Sequence, residues 1–102
     1  MKYFKLKEFD CPSLPGSGKT MDQCFLETLD KAREIYGRPM RVNSGYRTES
    51  HNKKVGGVSS SSHLKGLAAD IRCKSLNDRF NMIQAFLKAG FKFKFLISFT
   101  VS

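Results

Sequence analysis

The clearest hydrophobic pattern in the chain predicts a helix over residues 21–36. Apolar side chains recur there at helical spacing, and Thr20 followed by Gln23 is typical of a capping box at a helix start. Gly37 is a residue type that commonly ends helices.

A second helical pattern covers residues 76–89. Ser75, with Asp78 three positions later, forms a second cap, and Gly90 follows the last turn. The expected buried stripe consists of Leu76, Phe80, Ile83, Phe86 and Leu87.

Shorter patterns predict strands. Residues 38–42 fit a short strand, and small and branched residues over 67–71 fit another that carries Asp70. Residues 3–9 alternate weakly and fit either a short strand or an extended entry segment, and the tail 91–102 alternates at first and could form a strand.

The segments between these patterns contain turn and loop residues. Residues 48–55 predict one or two helical turns, and the Gly- and Ser-rich residues 56–62 predict a flexible loop. Residues 15–20 resemble the end of a phosphate-binding P-loop, but the full pattern requires Gly where this chain has Ser13. We therefore interpret this segment as an ordinary loop.

Composition limits the class of protein. The 102 residues, 40% of them hydrophobic, fit one small domain with a modest core. Eighteen Lys and Arg against nine Asp and Glu give a net charge of +9, which attracts anionic polymers such as nucleic acid, teichoic acid or the cell wall. Only Lys53 and Lys54 are adjacent, so no basic stripe indicates specific nucleic-acid binding, and a solvated basic surface is the simpler interpretation.

The cysteines and the N-terminus predict a cytoplasmic origin. Cys11, Cys24 and Cys73 are odd in number and form no C-x-x-C pair, which argues against a secreted disulfide framework. Residues 1–10 are charged and lack the apolar region of a signal peptide, and no apolar run approaches the roughly 20 residues of a membrane helix. We expect cytoplasmic synthesis, no membrane association and a monomer.

Two motifs carry the chemistry. Residues 44–48 read SGYRT, and the pattern S-x-H-x-x-G-x-A-x-D begins at Ser61. The second motif places His63 and Asp70 seven positions apart with Gly66 between them. Imidazole and carboxylate are ordinary zinc ligands, and a catalytic zinc site uses three protein ligands and one open position for water.

These motifs resemble the zinc D-Ala-D-Ala carboxypeptidase and murein endopeptidase family, whose members cut D-amino-acid bonds in bacterial peptidoglycan. The likeness covers residues 4–91, including KEFDC at 7–11, VGG at 55–57 and ADIRC at 69–73. The resemblance implies that His63 and Asp70 are zinc ligands. It also implies that Arg47 stabilises negative charge on the carbonyl under attack and that Ser61 contacts substrate.

The family's third zinc ligand is a histidine in an H-x-D or H-x-H strand near the C-terminus, with an acidic general base close by. After Asp78 this chain contains no Asp, Glu or His. The sequence therefore suggests a gene truncated or frame-shifted near Lys92, with the C-terminal part of the active site missing.

Other residues are poor substitutes for the third ligand, and His51 and the cysteines are the remaining alternatives. His51 lies where the resembled family has no ligand. Cys73 is three positions from Asp70, so the two side chains face opposite ways on one strand. Cys11 and Cys24 are distant in sequence, and nothing places them nearby.

Pattern and resemblance together predict one small α+β domain over residues 1–102, with an antiparallel sheet backed by helices 21–36 and 76–89. The resemblance implies a zinc metallopeptidase-like protein acting on peptidoglycan peptides, and the missing ligand predicts weak zinc binding and little or no hydrolysis. The alternative is a non-catalytic basic module that binds peptidoglycan or another anionic polymer. Access to the wall would need a phage-type release, as for lysins.

Overall fold

The computed structural model describes residues 1–58 and 61–101, which form helices, strands and short 3-10 turns. Ser59 and Ser60, in the predicted loop 56–62, lie outside the described residues. The α-helices are α1 (Gln23–Tyr36), α2 (Glu49–Lys54) and α3 (Leu76–Lys88). The strands are β1 (Arg41–Ser44), β2 (Ala68–Cys73) and β3 (Leu96–Val101). Single 3-10 turns occupy Leu6–Phe9, Ser17–Thr20 and Ser62–Lys65.

The helix at 21–36 is confirmed, but its cap differs from the prediction. Asp22 is the N-cap rather than Thr20, and its carboxylate accepts the N–H of Phe25 at 2.8 Å. A carboxylate directly before the first turn satisfies an otherwise unpaired amide and favours the helix dipole, so the helix begins there. Gly37 ends the helix in the left-handed conformation, as expected.

The second helix begins as predicted, because the Ser75 hydroxyl accepts the N–H of Asp78 at 3.1 Å. The N-terminal segment 3–9 was expected to be a short strand or an extended entry segment. It is neither, since Leu6–Phe9 forms a 3-10 turn. The Glu8 carboxylate closes this turn by accepting the N–H of Lys5 at 2.7 Å, which competes with strand formation.

The sheet has the order β1-β2-β3 and is mixed. β1 and β2 are antiparallel, with Val42 opposite Ile71 and Ser44 opposite Asp70. β3 joins β2 in parallel, so the expectation of a wholly antiparallel sheet is corrected for this pair. The reason is that α3 crosses over between β2 and β3 and brings the chain back to the same end of the sheet. The α+β class is confirmed.

One core lies between the sheet and the helices α1 and α3. Phe25 and Leu29 of α1 are fully buried with Ile71 of β2, and the Phe25 ring meets the ring of Phe95 edge to face, with centroids 5.2 Å apart. No helix in the described ranges has the length and apolar content needed to cross a membrane.

The expected buried stripe of α3 is wrong except for Phe86. Met82, Ala85 and Phe86 are the buried residues of this helix, whereas Phe80 is 58% exposed and Leu87 is 71% exposed. α3 carries two apolar stripes, and the one that includes the small Ala85 faces the core, where a short side chain permits close packing.

Candidate functional site

Asp70 is positioned by the alternation of β2. Ala69, Ile71 and Cys73 are buried in the core, whereas Asp70 and Arg72 are only partly buried on the opposite face. The strand therefore presents the Asp70 carboxylate at the surface, with its backbone fixed by pairing on both sides.

His63 lies in the 3-10 turn Ser62–Lys65, which follows the motif residue Ser61 and ends at the motif residue Gly66. The Ser61 hydroxyl accepts the N–H of His63 at 3.2 Å and caps the turn. Gly66 ends it in the left-handed conformation, where an added Cβ would lie 2.7 Å from the carbonyl oxygen of Thr20. The motif glycine is therefore required by backbone conformation and by space.

The orientation and tautomer of His63 follow from one hydrogen bond. Its side chain is buried, and Nδ1 lies 2.7 Å from the carbonyl oxygen of Gly45. Because a carbonyl oxygen only accepts, Nδ1 carries the hydrogen, and in the neutral form of the ring Nε2 presents a lone pair. Nε2 lies 3.7 Å from Oδ1 of Asp70, so two acceptor atoms share a space that a proton or a cation can bridge.

Arg47 joins these two residues from the segment after β1. Its backbone N–H donates to the carbonyl oxygen of His63 at 3.1 Å, and Nη2 lies 3.6 Å from Oδ2 of Asp70. The structure thus brings together the predicted residues His63, Asp70 and Arg47. It places Ser61 at the cap of the turn that carries His63.

Asn52 belongs to the site and is not predicted by the motifs. Its side chain is 3% exposed; Oδ1 accepts from Nη1 of Arg47 at 3.2 Å, and Nδ2 donates to the carbonyl oxygen of Val58 at 2.8 Å. A Cβ at Gly57 would overlap Oδ1 of Asn52. The glycine pair directly after a short polar helix is the sequence signal that could have indicated such a close approach.

Cys11 also lies beside the site, although nothing in the sequence places it there. The N–H of Thr48, the residue after Arg47, donates to Cys11 Sγ at 3.5 Å, and the Ser13 hydroxyl lies 3.2 Å from the same sulfur. Burial raises the pKa of the Cys11 thiol, but the hydrogen bonds from Ser13 and Thr48 outweigh it and lower the pKa below the usual 9.0.

The donor set falls short of a catalytic zinc site. Within the described part of the chain, no group of three or more His, Cys, Asp or Glu side chains is placed to hold a metal ion. His63 and Asp70 fit two of the three protein ligands that such a site uses, and neither His51 nor a cysteine joins them as a third. The residues that the structure describes therefore do not form a complete site.

Backbone amides of the P-loop-like segment, residues 15–20, are hydrogen-bonded to a side chain of the protein itself. The N–H groups of Gly16 and Gly18 donate to the Asp10 carboxylate at 2.9 and 2.7 Å. These hydrogen bonds hold the pKa of Asp10 below its ordinary value of 3.8. The amides that would bind a phosphate are already paired, which agrees with the interpretation as a loop.

Comparison with known proteins identifies the family. A family model described as Peptidase M15 matches residues 2–99, and the chain belongs to this family of zinc D-Ala-D-Ala carboxypeptidase-like proteins. The match extends beyond Phe91, the last residue of the motif likeness over residues 4–91, and includes most of β3. No curated protein and no solved structure matches the chain. At family level the match supports a peptidase-like function.

Proposed function

We propose that this chain is a peptidoglycan-directed member of Peptidase M15 that binds peptides at the site formed by His63, Asp70 and Arg47 without detectable hydrolysis. The observation that carries the proposal is the convergence of two metal-ligand side chains and one arginine, without a third donor among the described residues.

Arg47 is suited to stabilise negative charge on a bound peptide carbonyl. Its guanidinium is always charged, and its planar fork of donors is held between Asn52 and Asp70 before any substrate arrives. A group fixed in advance loses little conformational entropy when it binds, so this arrangement favours electrostatic stabilisation of the carbonyl oxygen.

Ser61 is proposed as a substrate contact. Its oxygen accepts the N–H of His63, which leaves the hydroxyl hydrogen free to donate to a peptide carbonyl. Because the same residue caps the turn that carries His63, substrate bound to Ser61 would lie beside the imidazole.

Zinc, when bound, would act as a Lewis acid and lower the pKa of a bound water. His63 and Asp70 are the two side chains that would hold it, with Nδ1 of His63 oriented by Gly45 in the manner of an outer-shell partner. Two donors predict weak zinc binding, which is the reason for expecting little hydrolysis.

The test is hydrolysis of a D-Ala-D-Ala peptide in zinc-supplemented buffer. We expect no turnover above background for the unmodified chain, the His63→Ala variant and the matched control His51→Ala. Detectable turnover that is lost in His63→Ala and retained in His51→Ala would show an active peptidase and contradict the proposal.

A second candidate is a non-catalytic basic module, which the net charge of +9 favours. Pelleting with purified cell walls at low and high salt separates the two functions. Retention that salt abolishes and that Arg47→Gln leaves nearly unchanged supports a basic binding module, whereas retention lost in Arg47→Gln supports binding at the peptidase-like site. Nucleic-acid binding by charge alone would show a steep salt dependence and no sequence preference.

The route to the wall is also part of the proposal. We infer synthesis in the cytoplasm as a monomer and release when the cell membrane is opened, in the manner of phage lysins. Fractionation of expressing cells before and after membrane permeabilisation tests this, because early recovery outside the membrane would contradict it.

A further inference from the structure

A concave site lies at the end of the sheet and is not lined by the peptidase-like residues His63, Asp70 and Arg47. It is a cavity of about 340 Å³ between the β1 start, the β2 end and the beginning of α3. Its described lining includes four basic side chains and none of His63, Asp70 or Arg47. The basic side chains are Arg38, Arg41, Arg72 and Lys74.

Two of these arginines are placed against each other. Arg41 of β1 and Arg72 of β2 are direct partners in the antiparallel register, so their side chains leave the same face of the sheet. Like charges directly opposite on neighbouring strands destabilise a sheet. An anion between them would remove that repulsion.

Arg72 also carries an unused donor. Its Nε is buried and has no hydrogen-bond partner among the described residues. Leaving a buried charged donor unpaired is costly, and a small rotation of the guanidinium towards the cavity would let a ligand oxygen satisfy it.

The other charges around the cavity leave the site positive. Asp78 is the single acid in its described lining, and Arg38 pairs with it at 3.2 Å. Burial raises the pKa of Tyr36, which also lines the cavity, and the nearby Asp78 adds to this effect. Tyr36 is therefore a neutral hydroxyl donor, while Arg41, Arg72 and Lys74 form no ion pair with the described residues.

We propose that this cavity binds a phosphate group, held by Arg41 and Arg72 with Lys74 at its edge. Phosphate offers several oxygens to donors that approach from different directions, and arginine forks match it with paired hydrogen bonds. The volume admits a phosphate with a small substituent, such as one unit of a polyol-phosphate polymer. This function is separate from the proposed peptidase-like one and does not depend on it.

The experiment is an amide-shift NMR titration of the full chain with inorganic phosphate at constant ionic strength. We expect saturable shifts at residues 38–41 and 72–74, and an affinity about tenfold or more lower in Arg72→Gln and in Arg41→Gln. Arg79→Gln is the matched control, because Arg79 is exposed on α3, outside the described lining, and loses the same charge.

Thermal unfolding gives a second readout that does not require activity. Phosphate should raise the Tm of the unmodified chain and of Arg79→Gln but not that of Arg72→Gln or Arg41→Gln. Without phosphate, both arginine variants should be at least as stable as the parent, because one charge of the cross-strand like-charge pair is removed.

Two further ligands distinguish the source of the phosphate. Glycerol 3-phosphate should bind at the same residues with the same dependence on Arg72, as expected for a polyol-phosphate unit. Linear shifts without saturation, or binding only to a single-stranded oligonucleotide that Arg79→Gln weakens equally, would show diffuse attraction to charge and overturn the proposed site.

Discussion

At the scale of single residues, the orientation of Arg47 depends on one buried amide. Asn52 satisfies Nη1 of Arg47 with its oxygen and the carbonyl oxygen of Val58 with its nitrogen. Removing the amide leaves two polar groups without their partners, which is the more costly way to lose a hydrogen bond.

We therefore expect Asn52→Ala to lower the free energy of unfolding by about 1–3 kcal/mol in urea titrations. The control is Asn43→Ala, since Asn43 is exposed on β1 and its loss should change stability by about 0.5 kcal/mol or less. Equal effects of the two changes would contradict the bridging role of Asn52.

Asp10 predicts a pH dependence at the same scale. The amides of Gly16 and Gly18 lower the folded-state pKa of Asp10 below 3.8. The stabilisation that the ionised carboxylate gives to the fold is therefore fully present above the unfolded-state pKa. It is lost as the pH falls through the lowered folded-state pKa. Asp10→Asn should therefore be less stable than the parent near neutral pH, and the difference should shrink in acid.

Urea unfolding at a series of pH values measures this difference. Glu27→Gln is the control, because Glu27 is an exposed carboxylate on α1 and its loss should leave the pH dependence nearly unchanged. A difference for Asp10→Asn that stays constant from neutral pH to pH 2 would rule out the carboxylate hydrogen bonds as its cause.

At the scale of elements, α3 shows why periodicity alone does not identify the buried face. The stripe of Phe80 and Leu87 has helical spacing, but so has the stripe of Met82, Ala85, Phe86 and Ala89. Contact with α1 and β2 decides between them, and that contact is not encoded in the spacing.

Two phenylalanines on the same helix test this assignment. Phe86 is 4% exposed, so Phe86→Ala should lower the free energy of unfolding by about 3–5 kcal/mol. Phe80→Ala should cost about 0.5 kcal/mol or less, because most of that ring already faces solvent.

Sedimentation velocity accompanies the unfolding measurements, because the chain is predicted to be a monomer. A large loss of stability for Phe80→Ala, together with a dimeric sedimentation coefficient for the parent, would show that the outer stripe of α3 is covered by a second copy.

At the scale of the whole molecule, the local parts of the fold and site are predictable and the long-range parts are not. Short patterns predict the helix that the structure has at Gln23–Tyr36, the cap at Ser75 and the strand carrying Asp70. The S-x-H-x-x-G-x-A-x-D motif likewise encodes the turn that His63 occupies, through Ser61 and Gly66.

The remaining features depend on contacts between distant segments. The contact of Cys11 with Thr48 joins residues 37 positions apart, and the parallel pairing of β3 depends on the crossover through α3. No sequence motif marks Asn52, because its bridging hydrogen bonds to Arg47 and Val58 form only in the folded chain. Such contacts are products of the packed chain rather than of local propensity.

The central claim is that His63 and Asp70 provide two metal donors and that no third donor joins them among the described residues. Chelator competition measures the stoichiometry and affinity of zinc on the purified chain, with His63→Ala and Asp70→Ala as test variants and His51→Ala as the control. The two-donor site predicts weak binding and no tightly held zinc. One tightly held zinc per chain, lost in both test variants, would show that a third ligand completes the site and contradict the account.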